Sequence, residues 1–322
     1  METFDDAGKS SIINNKGISY LEFRNSIRPR YGLVWFDIFL FYAGLATVLG
    51  LVAFIQRSYP SWFVLNILVG SLFIGYIIQA IHLFMHEAAH FNVASDKRKN
   101  DQLANIFIGL LIGMDVGFFR AMHLAHHKYL GTVKDPEKSY FDALTWRLIF
   151  ESLTGIRALK VVTHRNKNIK LNYEEDQSAE IISKNNTMFF TATFLNVLLV
   201  VVFFALGYWQ VSLAWLVGFG AVFPFFASLR NILEHRTEEA IGALNYNEVD
   251  QGASHRMFGD GLIASTLGPA GFNRHLLHHW DPQVSYTRLR DVEYFLQDTQ
   301  LGPKLNRNRT TYLQTFSALL NR

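Results

Sequence analysis

The chain has 322 residues, half of them apolar and 28 of them Phe, with a mean hydropathy of +0.11 and a formal charge of +3. So small a charge, with no Lys/Arg cluster interleaved with aromatics, argues against nucleic acid as a partner. The absence of Cys excludes disulfides and thiolate metal sites, which leaves 12 His with Asp, Glu and Asn as ligand-capable side chains.

The first ~30 residues are polar and hold no short apolar core followed by small residues, so no signal peptide is expected. A spanning helix needs about 20 mostly apolar residues. Four runs qualify, at roughly 33–55, 62–85, 187–208 and 211–230. They pair into two hairpins. The first turns at Gln56-Arg57-Ser58-Tyr59-Pro60-Ser61 and the second near Gly207-Tyr208-Trp209-Gln210, and neither turn is long enough to carry a domain. Lys and Arg number five in 1–32, one in the first turn, none in the second, fourteen in 86–186 and ten in 230–322. The positive-inside rule then puts both termini, the segment 86–186 and the segment 231–322 in the cytoplasm. The expected fold is all-α and integral to the membrane. Four transmembrane helices in two hairpins would carry a helical cytosolic cap, with 1–322 forming a single domain.

Between the hairpins, Leu103 to Phe119 is apolar but interrupted by Gly109, Gly113, Asp115 and Gly117. It fits an interfacial or re-entrant helix better than a span, because a fifth span would move the following histidines to the other side. Residues 164–185 are polar and charged, as expected of a connector leading back to the membrane.

The histidines fall in clusters beside the predicted membrane exits. At the end of the second run stands His82-x3-His86-Glu87-Ala88-Ala89-His90, and residues four apart share a helix face. Next come His123-x2-His126-His127 and, with the same spacing, His275-x2-His278-His279; offsets of 0, 3 and 4 keep three imidazoles within a ~100° arc of one helix. Asn231-x3-His235 sits where the fourth run ends. Imidazole ligates iron, copper, nickel and zinc, and nine such side chains exceed what one tetrahedral zinc uses. Two metals with four or five ligands each is the natural division. The segment His86–His90 also reads HExxH, the zinc-protease motif with Glu87 as base, but that reading leaves both HxxHH triplets idle. A metal transporter would place its ligands nearer the bilayer midplane.

The order HxxxH, HxxHH, NxxxH, HxxHH, alternating with paired hydrophobic runs over roughly 33–290, resembles the membrane fatty acid desaturase and hydroxylase superfamily. His127 followed by Gly131 and Asp135-Pro136-Glu137 is similar to the HHxxxGxxxDPE style of bacterial members, as is Trp280-Asp281-Pro282-x3-Tyr286-x2-Leu289 to their last box. The resemblance implies a dinuclear iron centre with O2 as cosubstrate. The implied ligands are His86, His90, His123, His126, His127, His235, His275, His278 and His279, with Asn231 reaching the metal directly or through a water. Glu87, Asp135 and Glu234 are expected to accept hydrogen bonds from ligand imidazoles. His82, one turn deeper than His86, is expected either to support the ligands or to line a tunnel; His164 is expected to be solvated, and His255 and Arg256 receive no role.

The implied activity is desaturation of a lipid acyl chain. Hydroxylation or ketolation of an acyl, alkyl or carotenoid chain by the same boxes is the alternative, and spacing does not separate them. Three residues between the first two ligand histidines, rather than four, lean away from an acyl-CoA substrate towards the bacterial and acyl-lipid branches, and so to a bacterial inner membrane. Electrons must come from outside, from a ferredoxin or a cytochrome b5-like donor docking on the positively charged cap. An apolar tunnel below the metals is expected, with Phe223, Phe225 and Phe226 as candidate lining and Pro224 as a kink in the fourth helix.

Overall fold

The computed structural model describes residues 8–161, 163, 169, 173–240 and 252–320; His164 lies outside them. Among the described residues the regular structure is helical, with isolated bridges and no strand. Four helices among the described residues are long and apolar enough to cross a membrane: Tyr31–Ser58, Pro60–Ala89, Glu175–Ala205 and Trp209–His235. They correspond to the four expected runs.

The third differs most from expectation, beginning at Glu175 rather than 187 and ending at Ala205 rather than 208. Hydropathy marks the apolar length, whereas the helix continues through a polar first part that carries an i,i+4 Glu180–Lys184 pair at 2.6 Å. The expected connector is therefore helical from residue 175. The apolar stretch after the second span forms two helices, Lys97–Ile112 and Val116–Tyr129, bent at 90°. Gly113, in the left-handed region at φ +76°, makes the bend, and Asp115 caps the second helix by accepting from the backbone N–H groups of Gly117 and Phe118 at 2.8 and 3.1 Å.

The second span is the central one. It packs on the fourth where both backbones are bare: a Cβ on Gly75 would meet the Gly218 carbonyl at 2.6 Å, and one on Gly218 would meet Ile74 Cβ at 2.9 Å. At the ends away from the histidines, Asn66 Nδ2 donates to Gln210 Oε1 at 2.6 Å, and Gln56 Oε1 accepts from the Gln210 N–H at 2.9 Å, which ties the two hairpin turns together. The third span lies outermost, with Phe190 68%, Phe194 65% and Phe204 66% exposed. In water that surface would be costly; in a bilayer it is solvated by lipid chains.

Beyond the fourth span, short helices Leu262–Leu267, His275–Trp280, Tyr286–Gln297, Gly302–Arg307 and Tyr312–Leu319 pack against the helix Tyr20–Ser26 and the ends of the spans. Asp281 accepts hydrogen bonds from the Tyr20 hydroxyl at 2.9 Å and Arg24 Nε at 3.0 Å. Tyr286 reaches across to the first span, its hydroxyl donating to Asp37 Oδ2 at 2.6 Å.

Candidate metal centre

Three stretches of helix and one helix end deliver the histidines. His86 belongs to the last turn of the second span, and His90 is the residue that closes it. His123, His126 and His127 lie on Val116–Tyr129, and His235 ends the fourth span. His275, His278 and His279 make up half of the helix His275–Trp280.

Their ring nitrogens gather into two groups. In the first, His86, His90, His123, His127 and His278 each bring one nitrogen within 4.8 Å of the others; in the second, His126, His235 and His279 do so, and His235 and His275 also cluster with Glu234. The two triplets interleave. His123 and His127 enter the first group and His126 the second, whereas His275 and His279 enter the second and His278 the first.

Within the groups the Nε2 atoms are close: His86–His278 2.8 Å, His90–His123 3.0 Å, His123–His127 2.9 Å, His127–His278 3.0 Å, His235–His275 2.9 Å and His275–His279 3.0 Å. A neutral imidazole has one N–H, so these contacts cannot all be hydrogen bonds when one nitrogen, such as His123 Nε2, faces two others. A metal ion taken up by each group would account for them, with one nitrogen of each ring as a ligand. Burial disfavours protonation of most of these rings, but at His126 the Asp135 carboxylate outweighs burial and raises it. Burial first, then the nearby Arg120 guanidinium, lowers His90 to about 4. Burial and the neighbouring imidazoles push His275, His278 and His279 well below the usual range. At neutral pH these rings are uncharged and keep a lone pair for a metal.

The carboxylates expected to support the rings behave differently from one another. Asp135, fully buried, accepts from His126 Nδ1 at 2.9 and 3.0 Å and also from the Tyr140 hydroxyl at 2.5 Å and the Glu137 N–H at 2.8 Å. That network fixes Nδ1 of His126 as the protonated nitrogen and leaves Nε2 for the second group. Glu87, by contrast, is 3.7 Å from His86 Nδ1, too far for a hydrogen bond, and instead accepts from the Tyr286 N–H at 3.2 Å. Glu234 takes the Arg230 guanidinium and stands 3.7 Å from His275 Nε2, as part of the second group rather than behind it. Asn231 turns its amide nitrogen to the Glu137 carbonyl at 3.3 Å and the Ser139 hydroxyl at 3.2 Å.

Two residues left without a role acquire surroundings. His255 is half-buried with its ring 4.9 Å from that of His279, and this burial lowers it to about 4. Arg256 donates to the carbonyls of Leu233 at 3.1 Å and Arg236 at 2.6 Å, closing the last turn of the fourth span and holding His235 there.

Below the histidines lies a cavity of about 340 Å³. His86, His123, His126, His235 and His275 form one wall. Leu83, Ile112, Met114, Phe119, Phe219 and Phe223 form much of the rest. His82 lines it between Phe119 and Phe223, with Nδ1 3.4 Å from Gln79 Oε1. Of the three expected phenylalanines Phe223 lines the cavity, while Phe226 packs on Tyr76 instead. Pro224 also lines it, just after an i→i+5 turn at Gly218–Val222. Glu137, from the Asp135-Pro136-Glu137 motif, stands at the cavity's polar end with Arg230, which had no signal of its own in the sequence because its position follows from tertiary packing.

Residues 60–309 match the family model described as fatty acid desaturase, which is well over half the chain, and the chain belongs to that family. No curated protein matches it.

Proposed function

We propose that this member of the fatty acid desaturase family binds two iron ions and uses O2 to place a double bond in a lipid acyl chain. The observation that carries this reading is the cavity whose one wall is five of the candidate ligands and whose remainder is largely apolar. A hydrocarbon segment laid in it would rest its carbon–hydrogen bonds against the histidine wall. His86, His90, His123, His127 and His278 would hold one iron, and His126, His235, His275 and His279 the other, with Glu234 or Asn231 at hand for the second. Bound there, the iron pair would supply the two-electron reduction of O2 needed to attack an unactivated C–H bond.

The protein's own part is positioning. Asp135 orients His126; Arg256 holds the end of the fourth span; Phe119, Phe223 and Phe219 exclude water and fix the chain. His82 serves as cavity lining, one turn below the ligands. In balance, a –CH2–CH2– unit, O2, two electrons and two protons give –CH=CH– and two waters. The electrons come from an external carrier of the ferredoxin or cytochrome b5 kind, for which the Lys/Arg-rich cap offers the complementary charge. We take the whole chain to work as one unit with both termini and the metals on the cytosolic face of a bacterial inner membrane. An even number of spans and the Lys/Arg distribution support this.

Expression with compatible donors, followed by mass spectrometry of the host lipids, tests the reading. A chain lighter by two hydrogens is expected. A chain heavier by one oxygen would overturn desaturation in favour of hydroxylation, and protein purified with one zinc and no iron would overturn the oxygenase reading altogether.

A further inference from the structure

The cavity is bounded on one side by the middle of the fourth span, at Phe219, Gly220, Phe223, Pro224, Ala227 and Ser228, and on the other by Gly155, Ala158 and Val161. Residues 221–230 are all partly exposed, Gly220 is exposed, and Gly155, Ala158 and Val161 keep partial exposure. A Cβ on Gly220 would meet nothing within 4 Å, and one on Gly155 would lie 3.5 Å from the Gly220 carbonyl. Gly155 thus packs close to the Gly220 backbone, and the gap on the open side of Gly220 lies beside that contact, towards Ala158 and Val161 on the cavity.

The depth of that gap matters. Gly220 is eleven residues from Trp209 and fifteen from His235 in a 27-residue span, or ~16 Å and ~22 Å at 1.5 Å per residue. A hydrocarbon layer is ~30 Å thick, so the gap opens into lipid rather than water. The segment on its far side packs along the fourth span from residues 218–222 towards the histidine end, and so extends from that depth to the membrane surface. Trp146, Phe150 and Leu153 recur at i, i+4 and i+7 and, with Leu159, point outward, Trp146 at 69% and Leu159 at 71% exposed. Arg147 and Lys160 flank this face and both pair with Glu151, at 3.0 and 2.7 Å. Apolar side chains set beside basic ones suit the boundary between acyl chains and headgroups. This apolar face continues the lipid-exposed surface of the spans. At the polar end, by contrast, Asn231 ties the fourth span to Glu137 and Ser139 and narrows any route from the aqueous side.

We propose that the substrate chain enters sideways from the bilayer, between Gly220 on the fourth span and Ala158–Val161, and that the substrate is therefore an acyl chain of a membrane lipid rather than one delivered on a water-soluble carrier. This rests on the desaturase reading for the chemistry but not for the route.

The route is tested without turnover. Protein in nanodiscs of phosphatidylcholine bearing a diazirine on one acyl chain is irradiated, and labelled residues are mapped by mass spectrometry. Phe223 and Ala227 should be labelled. Gly220→Trp, which fills the gap, should cut that labelling at least tenfold while labelling of the outward-facing Phe194 is unchanged. Leu216→Trp, on the same span outside the cavity, should leave both as in the wild type. Labelling of Phe223 and Ala227 only by a diazirine acyl-CoA added in water, or labelling from the bilayer that Gly220→Trp leaves intact, would overturn the proposal. Cavity labelling with no lighter lipid product from the iron-loaded protein would sink the desaturase reading and leave the portal standing.

Discussion

His278 and His279 are neighbours in sequence but serve different groups: His278 Nε2 lies 3.0 Å from His127 Nε2, and His279 Nε2 lies 3.0 Å from His275 Nε2. Consecutive residues on a helix diverge by about 100°, so the helix His275–Trp280 stands between the two groups and contributes to each. Val116–Tyr129 does the same in the opposite sense, with His126 turned to one group and His127 to the other.

Loss of either ring should therefore leave one group nearly intact. His278→Ala and His126→Ala are each expected to lower bound iron from about two per chain towards one, and product formation by more than ~100-fold, at least the upper end of what loss of a supporting residue costs. Elemental analysis alongside lipid mass spectrometry checks both. Full activity in both variants would remove the basis of the ligand assignment.

Asp135→Asn should weaken only the second group. The amide keeps the shape but cannot hold the charge-assisted bond to His126 Nδ1, so iron affinity there is expected to fall ~10–100-fold. Titration of iron into apoprotein, read by the step of lower affinity, checks this; an unchanged second step would show that the Asp135 contact does not tune the metal.

The clustering of the nine histidines was legible because their spacing matches helix geometry and because they stand near the ends of the long apolar runs. Other features were not legible. Whether Glu87 or Asp135 meets an imidazole depends on the direction of a side chain beside its own helix end, and the backbone of Tyr286, 199 residues away, decides it for Glu87. Asn231 carries the expected motif position, yet its amide nitrogen bonds to Glu137 and Ser139, which the turn after Asp135-Pro136 brings under it. Arg256 had no visible purpose in sequence because carbonyls at a helix end carry no sequence signal. The polar start of the third span, from Glu175, escaped hydropathy for the same reason that it forms: it has helix-favouring pairs but no apolar run.

Arg256→Met tests the cap on the fourth span. Two carbonyls in a buried place lose their donor, at a cost of about 1–3 kcal/mol. A lower thermal midpoint is expected, together with weaker iron binding through His235. Arg256→Lys should recover part of the stability, since a single ammonium can still reach one carbonyl. A midpoint unchanged in the Met variant would show that water serves these carbonyls equally well.

Gly131→Ala is expected to destabilise more than a surface substitution does. Gly131 has φ +78°, and a Cβ there would lie 2.7 Å from the Gly252 Cα, in a contact where Gly252 N–H also donates to the Gly131 carbonyl at 3.0 Å. Both the strained backbone and the backbone contact oppose the methyl group. Because this turn leads directly to Asp135, the variant should also lose iron from the second group before the first.

Metal should in turn support the fold. Imidazoles from four separate stretches meet in pairs with Nε2 atoms 2.8–3.0 Å apart, so stripping iron with a chelator is expected to lower the thermal midpoint, and adding Fe(II) back to restore it. The Tyr286–Asp37 bond makes this measurable as a local effect. Tyr286 joins the first span to the last box through its hydroxyl, and its backbone N–H holds Glu87 beside His86. Tyr286→Phe leaves the Asp37 carboxylate without that donor, at a cost of about 1–3 kcal/mol; Asp37→Asn keeps an acceptor and should cost less. In the double variant the penalties should fall short of their sum, the mark of two residues in one interaction. Additive penalties would mean that the two side chains are not bonded. If the bond also positions His86, the Tyr286→Phe variant should need more Fe(II) than wild type to regain its own midpoint after chelation, whereas a purely structural tie would leave that requirement unchanged.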